Sequence, residues 1–183
     1  MLGVVSLGGA IAAVLVLRSA VTAYVIRSGS MDPTLRVGDR VLVSRFHYQF
    51  TSPKRGDVVV FADPRDGGAT GERRLAAGQP NVRRRMLSRR RRVLIKRVVA
   101  VAGDAVWAGR VARTRRGPLQ VPQGSVFVVG DDLERSRDSR SFGPVDVAEV
   151  VGRAVVIVWP PVRIGVITGS STQLHRYRKD VAG

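Results

Sequence analysis

VLIKRVVAV, residues 93–101, is a run of aliphatic and β-branched side chains broken by a lysine and an arginine side by side. Such a run, lacking helical spacing of its apolar positions, reads as a strand. A two-residue period sets Lys96 on the same strand face as Leu94 and Val98, so its ammonium is expected to be desolvated and its pKa lowered.

Working outward, the same Val-rich character recurs in RVLVSR (40–45), DVVVF (57–61), SVFVVG (125–130) and RAVVIVW (153–159). Gly38-Asp39, Gly56-Asp57 and Gly103-Asp104 punctuate these runs as turns. Helical heptads are absent, and the chain reads as mainly β. At 183 residues with 44% hydrophobic content it can build one modest core beside a terminal segment.

That terminal segment is LGVVSLGGAIAAVLVL, residues 2–17, which is uncharged; after Arg18 the apolar character continues to Ile26. Sixteen residues at about 1.5 Å each reach roughly 24 Å, short of a hydrocarbon core of about 30 Å, so a span would draw in Arg18 snorkelling to an interface. The reading adopted is an N-terminal transmembrane helix, residues 1–26. A cleavable leader is disfavoured because no basic region precedes the apolar run, and a buried helix because little chain remains to cover it.

Charge adds a second theme. The formal net charge is +17, which favours anionic surfaces. Seven arginines crowd RRRMLSRRRR (83–92), inside the least strand-like stretch, residues 62–92. This is read as a solvated basic loop insertion; the alternative is a clamp on anionic lipid, each arginine adding about 1 kcal/mol. Trp107, Trp159 and three tyrosines are too scattered to form a stacking platform, so no nucleic-acid partner is expected. With no Cys there can be neither a disulfide nor a cysteine-based metal site, and His47 and His175 cannot make a zinc centre alone. Residues 161–183 read as a polar, exposed tail holding at most one more short strand, with no second membrane span.

The remaining informative segment is RSGSMDPTLRVGDRVLV (27–43), where Ser28 and Ser30 flank Gly29 and Pro33 restricts the backbone just beyond. A hydroxyl on such a turn suits a nucleophile, although a Ser-Gly-Ser turn by itself is usually plain loop chemistry. A serine needs a base. His47 and His175 sit in unpersuasive settings, whereas a buried Lys96 whose pKa falls by roughly two to three units would serve. By itself, Lys96 reads more readily as an edge-strand lysine reaching water; the pairing is what informs.

Taken in order, Ser-Met-x-Pro-Thr-Leu (30–35), Gly-Asp-x-Val (38–41), Arg-Gly-Asp-Val-Val-Val-Phe (55–61), Lys-Arg-Val-Val (96–99), Gly-Asp (103–104), Gly-Asp-Asp (130–132) and Asp-Ser-Arg (138–140) resemble the motifs of type I signal peptidases, the bacterial Ser-Lys dyad family. The resemblance covers roughly residues 24–61, 93–104 and 121–160. It implies a single catalytic domain over residues 27–160, built of antiparallel, partly barrel-like sheets behind the anchor. It also implies Ser30 as nucleophile, Lys96 as general base and Ser28 as oxyanion donor beside the Ser30 amide. Ser136 would hydrogen-bond the lysine, with Asp138 and Arg140 as a supporting ion pair. No metal or cofactor is implied. Three features depart from the family: Asp132-Leu133-Glu134-Arg135 stands where Asn-Arg-Asp-Asn is usual, the stretch from Val106 to Val121 is much shorter, and the Arg-rich insertion before Lys96 is unusual.

The implied activity is removal of signal peptides from secretory preproteins carrying small residues at the cleavage site. The implied place is a cell membrane crossed once, with the catalytic domain on the extracytoplasmic face. Twelve residues from Arg18 to Ser30 reach at most roughly 40 Å, which keeps the turn near the bilayer. The rivals are a maturation peptidase dedicated to one exported substrate and a catalytically silent basic adaptor on lipid. A self-cleaving Ser-Lys repressor is disfavoured because no helix-turn-helix precedes the domain.

Overall fold

β3, Val58–Ala62, is the strand around which the protein is organised, because all five of its residues are buried. A strand can be apolar throughout only if both of its faces are covered. A computed structural model of the chain describes residues 21–64, 92–106, 118–169 and 177. In it β3 pairs antiparallel with β4 (Val93–Val101) on one side and β9 (Val150–Trp159) on the other.

The other described strands are β1 (Val21–Val25), β2 (Arg40–Ser44), β5 (Ala105–Val106), β6 (Leu119–Gln120), β7 (Ser125–Val129), β8 (Val145–Asp146) and β10 (Gly165–Val166). One antiparallel sheet runs β1-β2-β9-β3-β4-β7-β8, with β10 added on β9, and β5 pairs with β6 separately. Few helical residues occur among those described: four-residue helices at His47–Phe50 and Ser139–Phe142, and short 3-10 turns.

Alternation along β3 splits the core. Val58 and Val60 join Ile26, Met31, Leu35, Val41 and Val43 on one face, while Val59 and Phe61 join Val98, Val126 and Val128 on the other. Phe61 is fully buried, a burial that contributes about 1.5–3 kcal/mol. A third cluster gathers Ala100, Val106, Val121, Phe127, Val129 and Tyr177. β4 sends Val98 to one cluster and Ala100 to another, although they are two residues apart, because its register with β7 shifts between them, and such a bulge turns successive side chains to new faces.

The three Gly-Asp pairs share one construction. Gly38, Gly56 and Gly103 have φ of 94°, 92° and 87°, the left-handed region that the third residue of a type II turn requires. The next residue closes each turn through its backbone amide, to Arg36 O, Lys54 O and Val101 O. Each aspartate carboxylate also accepts from a backbone amide three residues back, at 2.8–2.9 Å.

Several expectations change. Among the described strands the sheet is an open path rather than a barrel, since β1 and β8 lie at opposite ends and are not paired. The expected anchor ran to Ile26, yet Val21–Val25 is a strand whose residues pair with Arg40–Ser44; β-branched and aromatic residues beside a ready partner favour a ladder. Residues 1–20 lie outside the described residues, as do 65–91 of the basic insertion. The base of that insertion is a hairpin: Ala62 faces Val93, and Asp63 N donates to Arg92 O. The tail is not uniformly exposed, because Ile167 and Tyr177 are buried.

Candidate active site

Ser30 lies in the 3-10 turn Gly29–Met31, between an exposed Ser28 and a fully buried Met31. Met31 O accepts from Leu35 N at 2.8 Å, and Leu35 is itself fully buried. The turn is therefore anchored by two core side chains. Asp132 N donates to Ser30 O at 3.2 Å, tying the turn to the loop that follows β7.

On β4, Lys96 faces Val59 across the ladder and is 3% exposed. Its Nζ lies 2.6 Å from Ser30 Oγ and donates to Ile95 O at 2.9 Å. Burial pulls the Lys96 pKa down from 10.5 to about 8, against the carboxylates of Asp138 and Asp131, which pull it up. The expected burial of Lys96 and fall in its pKa are thus found, and the leading cause of the fall is desolvation. Ser28 Oγ stands 3.3 Å from Ser30 Oγ.

Asp138, 1% exposed, receives Gly130 N at 3.0 Å and is paired with Arg140, whose Nε and Nη2 each donate at 2.9 Å. Arg140 Nη2 also donates to Leu133 O at 2.8 Å, so this pair braces the loop 130–136. Ser136 departs from expectation. Its Oγ is buried without a hydrogen-bond partner, and Lys96 Nζ bonds Ser30 and Ile95 instead. Ser136 packs against Gly130: a Cβ added there would lie 2.2 Å from Ser136 Oγ and 2.4 Å from Ser30 O. Only glycine permits that approach.

Sequence reasoning missed the ion pair beneath the site. Arg97 and Asp131 are both fully buried. Arg97 Nε and Nη2 grip the two Asp131 oxygens at 2.8 Å, while Gly56 O, Thr168 O and Thr34 Oγ1 take the remaining donors. All five guanidinium N–H groups are thereby satisfied. The signal was present: alternation must send adjacent Lys96 and Arg97 to opposite faces, and a buried arginine needs a carboxylate. Tyr177 was missed as well; its hydroxyl donates to Gly130 O at 2.7 Å and Asp131 Oδ1 at 2.9 Å.

Of the two histidines, His47 meets Arg153 Nη1 at 3.3 Å and the Tyr48 ring edge-on, and His175 lies outside the described residues. Among the described residues no cluster of three metal-ligating side chains occurs.

The fold and this geometry define an antiparallel β protein with a buried lysine on an interior strand and a serine within hydrogen-bond reach of it. The family profile described as signal peptidase, peptidase S26, matches residues 2–112 and 108–159. Signal peptidase I of Mycobacterium tuberculosis strain H37Rv is 34% identical over 84% of this chain and 70% of its own length. Signal peptidase I of Leptolyngbya laminosa is 33% identical over 89% of this chain and 81% of its own. Mitochondrial inner membrane protease subunit 1 of Xenopus tropicalis is 34% identical over 74% and 68%. The chain belongs to the signal peptidase family, peptidase S26, and is a peptidase of the signal peptidase type.

Proposed function

We propose that this protein is a membrane-bound serine endopeptidase that removes signal peptides through a Ser30/Lys96 dyad. The observation that carries the reading is the 2.6 Å approach of Lys96 Nζ to Ser30 Oγ, with both residues buried. A lysine titrating near 8 offers an appreciable neutral fraction at working pH, which one titrating at 10.5 does not.

In the neutral form the hydrogen bond reverses, and Ser30 O–H donates to the amine. Lys96 takes that proton as Ser30 Oγ attacks the scissile carbonyl carbon. The oxyanion that forms is held by the Ser28 hydroxyl and the Ser30 amide. The lysine ammonium then protonates the departing amine and the C–N bond breaks, leaving an ester on Ser30. A water molecule, deprotonated by Lys96, hydrolyses the ester and returns the proton to Ser30. Asp138 and Arg140 hold the loop 130–136 against the dyad, and Ser136 Oγ, buried without a partner, is a donor available to the lysine once substrate is bound.

Membrane attachment is part of the same reading. The uncharged segment 2–17, with Arg18 drawn to the interface, is the core of the proposed single span, which would hold the catalytic domain at the extracytoplasmic surface. No described helix is long and apolar enough to cross a membrane. Next to the Ser30 turn, Arg163 ties the segment 160–167 to Asp39 and Thr34 O. Val162, Ile164 and Val166 stand exposed along it and Trp159 just before it, with Val25 and Val37 also exposed. Apolar side chains of this kind suit a bilayer interface, and the basic composition suits anionic headgroups. Secretory preproteins present small-residue cleavage sites in that zone.

The deciding test is incubation of the detergent-solubilised full chain with a preprotein bearing an Ala-x-Ala site, read by mass spectrometry. Cleavage after the second alanine supports general signal peptide removal. Cleavage of one exported protein alone would favour the dedicated maturation peptidase, and no cleavage of any would favour the silent adaptor.

Two expected results arise here. The rate should rise with pH through about 8, because Lys96 must lose its proton before it can accept one. Asp138→Asn removes a charge that raises this pKa, so the acid limb should move to lower pH even as the maximum rate falls. A limb near the ordinary lysine value would contradict the assignment. Ser28→Ala should lower kcat by about 10²–10³ with KM little changed, as for loss of one oxyanion donor; an unaltered kcat would remove Ser28 from the site.

A further inference from the structure

Tyr177 lies beyond the family match, which ends at residue 159. Nevertheless it is 3% exposed, its ring is part of the cluster with Phe127 and Val129, and its hydroxyl reaches the loop that touches Ser30. We infer that Tyr177 is a positioning residue, a hydroxyl clamp from the C-terminal segment that sets the Gly130–Ser136 loop against the Ser30/Lys96 pair. The inference rests on the dyad reading above.

Three contacts carry it. The Tyr177 hydroxyl donates to Gly130 O at 2.7 Å, and Gly130 is the residue whose α-carbon abuts both Ser30 O and Ser136. The same single O–H proton is shared with Asp131 Oδ1 at 2.9 Å, the oxygen that also receives Arg97 Nε. Arg97 is the strand neighbour of Lys96. Finally Leu133, standing where the family pattern has a polar residue, packs against the cluster that contains Tyr177. The loop is thus gripped by a hydroxyl at its start and by apolar packing at its middle, both directed to the same cluster.

A phenol is suited to the task. Burial, the Asp131 charge and the hydrogen bond to Asp131 all push the Tyr177 pKa up, so the hydroxyl keeps its proton and remains a donor throughout the working pH range. Its absence acts on Lys96 in two ways of the same sign. Asp131 loses a donor that offsets its charge, and water gains access to the loop. Both favour the ammonium, so the Lys96 titration should move to higher pH.

The test is Tyr177→Phe in the full chain, which keeps the ring in the cluster and removes only the donor. We expect kcat to fall about ten-fold, the effect of one hydrogen bond to a charged group, with KM within about two-fold. We also expect the acid limb, and the Lys96 titration followed by NMR of ¹³Cε-labelled lysine, to move up by about half a pH unit. The chain has three lysines, Lys54, Lys96 and Lys179, and Lys96→Arg assigns the signal. Wild-type kcat and wild-type Lys96 titration in Tyr177→Phe would overturn the inference, as would a lowered thermal midpoint as the sole change. If the wild type cleaves no preprotein, the dyad reading fails; the lysine titration still decides the clamp independently.

Discussion

Ser30→Ala and Lys96→Met should each abolish preprotein cleavage, with losses of at least about 10⁴-fold, because in the proposed dyad nucleophile and base act as one unit and the double variant should lose no more than either single one. The two losses are separable from damage to the fold. Lys96 is 3% exposed and titrates near 8 instead of 10.5. The unfolded chain therefore binds the extra proton between those values, and stability should rise with pH across that window. At neutral pH the buried ammonium costs stability, on the order of 3 kcal/mol at about 1.36 kcal/mol per pKa unit. Lys96→Met removes that cost and places a similar apolar volume in the same site. An inactive protein with a raised denaturation midpoint is the expected result. An inactive protein that is also less stable would show that Lys96 serves the structure, and residual activity above about one part in 10⁴ would point to another base.

The second large effect concerns Arg97 and Asp131. Both side chains have no exposed surface, and each satisfies the other through two 2.8 Å bonds. Removing one partner strands a charge in the core, so Arg97→Met and Asp131→Leu should each lose about 3–5 kcal/mol in urea unfolding. Against a total of about 5–15 kcal/mol, either variant stands near the limit of folding. The double variant should regain most of the lost stability, since well-packed apolar replacements of a buried pair are often neutral. It should not regain activity, because Asp131 also receives Tyr177 and its backbone belongs to the loop against Ser30. A loss under about 1 kcal/mol in the single variants would mean that the pair is hydrated in solution.

Much of this was legible in the residues. Alternation and β-branching locate β2, β3, β4, β7 and most of β9, since period and composition act within a few residues. The Gly-Asp turns were readable for the same reason: a positive φ and a short carboxylate are local requirements. Lys96 could be placed on a buried face from its own strand. The pairing with Ser30 was implied by a resemblance in motif order, and no local rule supplies contact between residues 66 positions apart. Val21–Val25 was misread because apolar continuity is common to membrane helices and edge strands, and only the availability of Arg40–Ser44 as a partner separates them.

By itself, then, the sequence determined a mainly β chain of the signal peptidase family, the turn that presents Ser30 and the strand that buries Lys96, because each follows from local chemistry or from an ordered series of motifs. Tertiary structure alone decided that the described strands form an open path, that Ser136 Oγ is buried without a partner, that Arg97 finds Asp131 and that Tyr177 returns to the loop beside Ser30. The physical reason is the same in each case. A buried polar group must find a partner of the right chemistry, but which of many distant candidates it finds depends on how the strands stack, and stacking is a property of the whole sheet.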